Sequence, residues 1–162
     1  MSECKIRKAK KQDISRIAEM IVFGKRVAYR DIFKDDTGSF KELQVLDVAE
    51  EILANPALFE SMVVYDDGII KGVIAAGVCG ESAEITDFYV EPFFKGKGIG
   101  RVLIRHVISE MKAAGVRKIF LWVLAENHAA RRFYEANGFR ATGETGLIEG
   151  TEIVDMYYEL LL

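Results

Sequence analysis

The chain has 162 residues, half of them apolar and 29% charged, with a formal net charge of −3. That length suits one domain with one sizeable core, and the mild acidity argues against nucleic acid as the main partner. No apolar run approaches a membrane span, because the longest, Ile119 to Ala125, is a strand's worth.

The first residues, Met1-Ser2-Glu3-Cys4-Lys5, lack the apolar stretch of a secretory signal. Two cysteines, Cys4 and Cys79, make neither a disulfide framework nor a Cys/His metal grouping. Both are expected as reduced, packed thiols in a cytoplasmic protein without metal. The charge is unevenly spread: residues 1–30 carry nine Lys/Arg against three acids, and residues 31–60 carry eight acids against two bases.

Lys5 to Ala9 reads as a short first strand. Asp13 reads as an N-cap, followed by Ile14, Ile17, Ala18 and Ile21 on a helical stripe that runs toward Tyr29 or Ile32. Asp35 to Ser39 is a turn, and Leu43, Leu46, Val48, Ile52 and Leu53 predict a second helix ending before Pro56. Phe59 to Tyr65 is strand-like, Asp66-Asp67-Gly68 is a hairpin signal, and Ile69 to Val78 is the returning strand. Glu81-Ser82 turns into a strand at Glu84 to Val90, which Glu91-Pro92 ends because proline cannot continue the ladder.

The next stretch, Phe93-Phe94-Lys95-Gly96-Lys97-Gly98-Ile99-Gly100-Arg101, places three glycines between that strand and a helix. Ile99, Leu103, Val107 and Met111 form the helix's apolar stripe. Glycine N–H groups can turn toward a ligand, and the helix start adds free donors and a positive dipole end, which suits phosphate. The loop lacks the Gly-Lys-Ser/Thr ending of the Walker pattern. It also carries Arg101 where the dinucleotide fingerprint needs its third glycine.

The helix ends at Ala113-Ala114-Gly115, with Gly115 suited to the C′ position. Lys118 to Leu124 is almost continuously apolar, which predicts a central strand covered on both faces, with Trp122 in the core. Strand, helix and strand then make a right-handed βαβ unit. A helix follows Asn127 and stops at Asn137-Gly138. Phe139 to Glu144 and Ile153 to Leu160 close the chain as an antiparallel pair. His106 is expected on a helix surface and His128 in a helix's first turn, neither with a Ser or Cys partner.

Two motifs carry a family resemblance. Lys95-Gly96-Lys97-Gly98-Ile99-Gly100 resembles the acyl-CoA pyrophosphate loop of the GNAT superfamily of N-acetyltransferases. Asn127-x-x-Ala130-x-x-Phe133-Tyr134-x-x-x-Gly138-Phe139 resembles that superfamily's other signature at every named position. The two stand in the family's order and separation, and the resemblance covers about the last two-thirds of the chain. The family usually has Gln-Arg where this chain has Phe94-Lys95. Lysine keeps the charge and loses the planar fork that grips phosphate in two places.

The resemblance implies one GNAT-like α/β domain over residues 1–162, with a mixed, mostly antiparallel central sheet flanked by helices. It implies acetyl-CoA as co-substrate, direct acetyl transfer to a primary amine in a ternary complex, and a small-molecule or peptide acceptor, expected to be cationic where the acidic stretch of residues 31–60 borders the acceptor mouth. It leaves a homodimer open and implies neither nucleic acid nor membrane as partner. The cofactor-binding residues it implies are Phe88, Tyr89, Val90, Lys95, Gly96, Lys97, Gly98, Ile99, Gly100, Arg101, Asn127 and Tyr134. Tyr134 is the implied acid toward the thioester sulfur and Glu84 the implied strand base, with Asp87 or a water chain as alternatives. By strand alternation, Glu84, Thr86 and Phe88 share one face, and Ile85, Asp87 and Tyr89 the other. Asn127 also fits as a helix cap. Arg131-Arg132 reads as a solvated helix face within reach of an outer phosphate. The competing expectation is a non-catalytic acyl-CoA-binding module of the same fold.

Overall fold

The computed structural model describes residues 5–162; Cys4 lies outside them. Seven strands form one sheet: β1 (Ile6–Lys8), β2 (Met62–Asp66), β3 (Ile70–Cys79), β4 (Ser82–Val90), β5 (Lys118–Leu124), β6 (Arg140–Leu147) and β7 (Val154–Leu161). Their order is β1-β2-β3-β4-β5-β7-β6. All neighbours are antiparallel except β4 and β5, which α4 (Ile99–Ala113) joins as a parallel crossover pair.

One face packs on α4 and on α5 (His128–Ala136). The α4 stripe of Ile99, Leu103, Ile104 and Val107 is buried against Val63, Ile74, Ala83, Ile85, Ile119 and Leu121. The other face, over β1 to β4, is covered by α1 (Ile14–Phe33), α2 (Val45–Ala54) and α3 (Pro56–Ser61), with Ile17, Met20, Ile52 and Val73 in that second core.

Several sequence expectations change. Phe59 to Ser61 is helical, because Pro56 opens α3 and the Asn55 side chain caps it by accepting from the Leu58 N–H at 3.1 Å. Asp35 to Ser39 is more than a turn: Gly38–Glu42 winds on as a π-helical segment. Asp13 precedes α1 but turns away from it. Its buried carboxylate accepts from Arg7 Nη1 at 2.7 Å and from the Lys10 N–H at 2.7 Å. Cys79 ends β3 as an exposed thiol rather than a packed one.

One more difference shapes the site. Ile119, Leu121 and Val123 enter the α4/α5 core, while Phe120 and Trp122 belong to neither core among the described residues. Trp122 is 39% exposed.

Candidate active site

Strands β4 and β5 pair only at their beginnings, Ser82 with Lys118, Ala83 with Ile119 and Glu84 with Phe120. Beyond Glu84 they part. Just there β4 bulges: Ala75 opposes Asp87 and Ala76 opposes Ile85, which leaves Thr86 as the extra residue. The bulge breaks the expected alternation. Ile85 and Phe88 now share the α4/α5 face, while Asp87 and Tyr89 share the α1 face.

The fork encloses a cavity of about 540 Å³. Its walls come from both sides of the sheet. Phe88, Tyr89 and Val90 stand on the β4 arm and Trp122 and Val123 on the β5 arm. Gly96, Gly98 and Gly100 close it at the start of α4, Asn127, Phe133 and Tyr134 at α5, and Gly24, Ala28 and Tyr29 at α1. The opening therefore runs through the sheet.

The β4 arm offers its main chain to this opening. The Glu91 N–H donates to the Lys71 carbonyl at 2.9 Å, and the register pairs Tyr89 with Val73. Antiparallel alternation then turns the N–H and C=O groups of Phe88 and Val90 away from β3 and into the fork. Glu91 is itself buried, and Arg16 Nη1 holds its carboxylate at 2.9 Å, which fixes the strand end to α1.

The glycine loop is built to admit an anion. Gly96 and Gly98 have φ of 77° and 80°, and a Cβ on either would meet no atom within 4 Å, so their upper side is open space. Gly98 caps α4 in the left-handed conformation without a side-chain bond. The first-turn N–H donors of α4 that no intrahelical carbonyl accepts then face that space. Lys95 and Arg101 line the cavity. Lys97 does not; its ammonium lies 5.5 Å from the Phe94 ring centroid, and that of Lys71 lies 4.7 Å from it.

Tyr134 is buried among Phe88, Phe133 and Phe139, with ring centroids 6.3, 5.5 and 5.7 Å away. Burial, with Tyr29 nearby, holds its phenol far above the usual range, so it keeps its proton. Burial and the Tyr29 hydroxyl do the same to Tyr89. Asn127 caps α5, accepting from the Ala130 N–H at 3.2 Å, while also lining the cavity.

Neither candidate carboxylate lies in the cavity wall. Glu84 stands at the base of the fork, opposite Phe120. Asp87 stands past the bulge, where burial raises its carboxyl pKa against the opposing pull of Lys25, and Glu51 adds to the rise. Arg131 is not a solvated side chain. Its guanidinium donates to the Ala125 carbonyl at 2.9 Å and to the Tyr158 hydroxyl at 3.1 Å, and so ties α5 to the end of β5.

Sequence reading missed Tyr29 and Trp122. The small residues Gly24 and Ala28, one turn apart beside Tyr29, mark an α1 face against an opening. For Trp122 the signal is its antiparallel partner β7, where Asp155, Tyr157 and Glu159 alternate with the core residues Met156, Tyr158 and Leu160.

Comparison with known proteins shows the family and the fold. Residues 26–139 match the model of the Acetyltransferase (GNAT) family. A streptothricin acetyltransferase of Streptomyces lavendulae is 32% identical over 149 residues, covering 85% of this chain and 76% of that protein. An uncharacterized N-acetyltransferase of Methanocaldococcus jannaschii is 46% identical over 59 residues, 36% of this chain. The chain spans only 26% of that relative's length, and less than two thirds of several others. Among solved structures, the PaiA N-acetyltransferase of Thermoplasma acidophilum, in complex with coenzyme A, superposes with a TM-score of 0.75 at 21% identity. That superposition covers 97% of this chain and 98% of the other, a likeness of fold.

Proposed function

The chain belongs to the GNAT acetyltransferase family, and on that premise we propose that it is an N-acetyltransferase moving an acetyl group from acetyl-CoA to a primary amine by direct transfer. The observation that carries this reading is the fork itself, a single opening reached from both faces of the sheet. A donor held from the glycine-loop side and an acceptor arriving from the α1 and Trp122 side meet between β4 and β5.

The residues present fit the cofactor. The open side of Gly96 and Gly98, the start of α4 and the charges of Lys95 and Arg101 suit a pyrophosphate. Phe88 and Val90 offer main-chain groups to an amide-rich arm. When bound, acetyl-CoA supplies an acetyl group activated as a thioester.

The chain's own residues have three tasks. An N–H of the β4 arm, at Phe88 or Val90, donates to the carbonyl oxygen as negative charge grows on it. Tyr134, kept protonated by burial, holds a proton for the departing thiolate. A carboxylate takes the amine's proton. A lysine-like amine of pKa ~10.4 is neutral in only about one molecule in 2,500 at pH 7, a cost of about 4.6 kcal/mol, so that base matters. The candidates for that base are Glu84 and Asp87, directly or through a water chain. Asp87 has the stronger position, since the bulge turns it toward α1 and burial raises its pKa toward the working range.

The test is incubation with acetyl-CoA and a panel of primary amines, following free thiol and acetylated amine together. Equal yields are expected. Tight acetyl-CoA binding with no acetylated amine from any acceptor favours the alternative, a non-catalytic acyl-CoA-binding module.

A further inference from the structure

The short helix α5 carries the acid, and little apolar packing holds it. Of its nine residues only Tyr134 is buried. The rings of Phe88, Phe133 and Phe139 enclose that side chain. Apolar packing is non-directional, so it keeps the ring in the core without fixing how the helix is turned about its axis. Hydrogen bonds weaken steeply with angle and do fix it. On α5 they converge on one hydroxyl. Tyr158 is fully buried on β7, opposite Leu121. Its hydroxyl accepts from Arg131 Nε at 3.1 Å and donates to Glu135 Oε1 at 2.8 Å. Arg131 and Glu135 stand one helical turn apart on one face of α5, and Tyr134 lies between them in the chain. The same guanidinium reaches the Ala125 carbonyl, just past β5, at 2.9 Å.

We propose that Tyr158, Arg131 and Glu135 are positioning residues for proton donation: together they fix the rotation of α5 and so aim the Tyr134 hydroxyl into the fork. The inference rests on the N-acetyltransferase reading and adds to it what places its acid. A hydroxyl suits the hub because it accepts one hydrogen bond while donating another. Here it accepts from a cation and donates to an anion, so both bonds are charge-assisted. The planar guanidinium fixes the angle between its own two bonds. One runs to β7 and the other to the chain leaving β5, so α5 is registered on the β5 arm of the fork as well as on the core beneath it. Proton transfer requires the donor within about 2.6–3.2 Å of the atom it serves. A misplacement of about 1 Å can cost on the order of a hundredfold in rate. The rotation of α5 therefore bears on the chemical step far more than on binding.

The experiment reads single-turnover acetyl transfer, with the protein in excess over acetyl-CoA and the amine saturating. Tyr158→Phe keeps the ring in the core and removes the hub. It is expected to lower the rate about tenfold, while acetyl-CoA affinity and the amine concentration giving half the maximal rate stay within about twofold. Glu135→Ala should do the same from an exposed side chain that the core does not need. Glu135→Gln should restore most of the rate, because its amide oxygen accepts the same bond. The discriminating arm is the Tyr134→Phe background. There Tyr158→Phe should lower the rate no further, since no acid is left to aim. Unchanged rates in folded Tyr158→Phe and Glu135→Ala overturn the proposal. An equal loss with and without the Tyr134 hydroxyl also overturns it and assigns the network to general stability. If the unmodified protein acetylates no amine of the panel, the transferase reading itself falls, and the positioning role falls with it.

Discussion

Gly98 concentrates the cofactor argument in one residue. Its φ of 80° disfavours any L side chain, and a Cβ would enter the space assigned to the pyrophosphate. A left-handed non-glycine residue costs about 1–2 kcal/mol. Because that Cβ stands in the ligand's space, Gly98→Ala should weaken acetyl-CoA binding by about tenfold or more, a loss of about 1.4 kcal/mol. Gly100→Val is expected to act alike, because a Cβ at that position would meet the Phe133 ring at 3.3 Å. Unchanged calorimetric affinity in folded variants contradicts the loop's role. Tyr134 makes a separate prediction. Tyr134→Phe should lower kcat with little change in acetyl-CoA affinity, because the hydroxyl acts mainly in the transition state. Wild-type kcat in that variant, under conditions where chemistry limits the rate, removes Tyr134 from the mechanism. Asp87 is tested by pH. Its carboxyl is raised, so kcat/KM should rise as pH climbs through that raised value, and Asp87→Asn should lower the rate and remove that limb. A limb that persists in the variant assigns the titration to another group.

Among the elements, β4 shows where the sequence was legible and where it was not. Its existence, its end at Glu91-Pro92 and the glycine loop after it follow from residue types, because proline and glycine act locally. The bulge at Thr86 does not, since an extra residue shows only against the partner strand β3. The same limit explains α3: Phe59 to Ser61 has strand composition, and the Asn55 cap with Pro56 overrides it. The apolar run of β5 reads as doubly buried, yet coverage depends on where distant helices pack, and Phe120 and Trp122 belong to neither core among the described residues. The two cofactor-side motifs were legible because their constraints are local, whereas Tyr29 joins the site only through the path of α1. The junction of β1, α1 and β2 carries its own prediction. Arg7 donates to Asp13 and also to Asp66, at 2.9 Å to the latter, and this holds the Asp13 carboxyl below the usual carboxylate range. A folded pKa below the unfolded one gives stability that is present above the unfolded value and is lost as pH falls through the folded one. Acid unfolding should therefore set in below about pH 4 and be blunted in Asp13→Asn, a variant already destabilised by about 3 kcal/mol at neutral pH. An acid-unfolding profile shared by both proteins contradicts this account.

At the scale of the whole molecule, one sheet does two things: it holds two cores apart and opens between β4 and β5 so that they communicate. The acidic stretch from residue 31 to 60, eight acids minus two bases, covers the end of α1 together with α2 and α3, on the face from which the acceptor is proposed to arrive. A cleft bordered by one sign of charge gathers the opposite sign. For a cationic amine, kcat/KM should fall as ionic strength rises, and a flat series denies the stretch any steering role. The central claim is that donor and acceptor occupy the two ends of one opening at the same time. Initial velocities over a grid of acetyl-CoA and amine concentrations test it most directly. Reciprocal plots should intersect, as a ternary complex requires, whereas parallel lines, the pattern of an enzyme that carries the acetyl group covalently between half-reactions, rule out simultaneous occupancy.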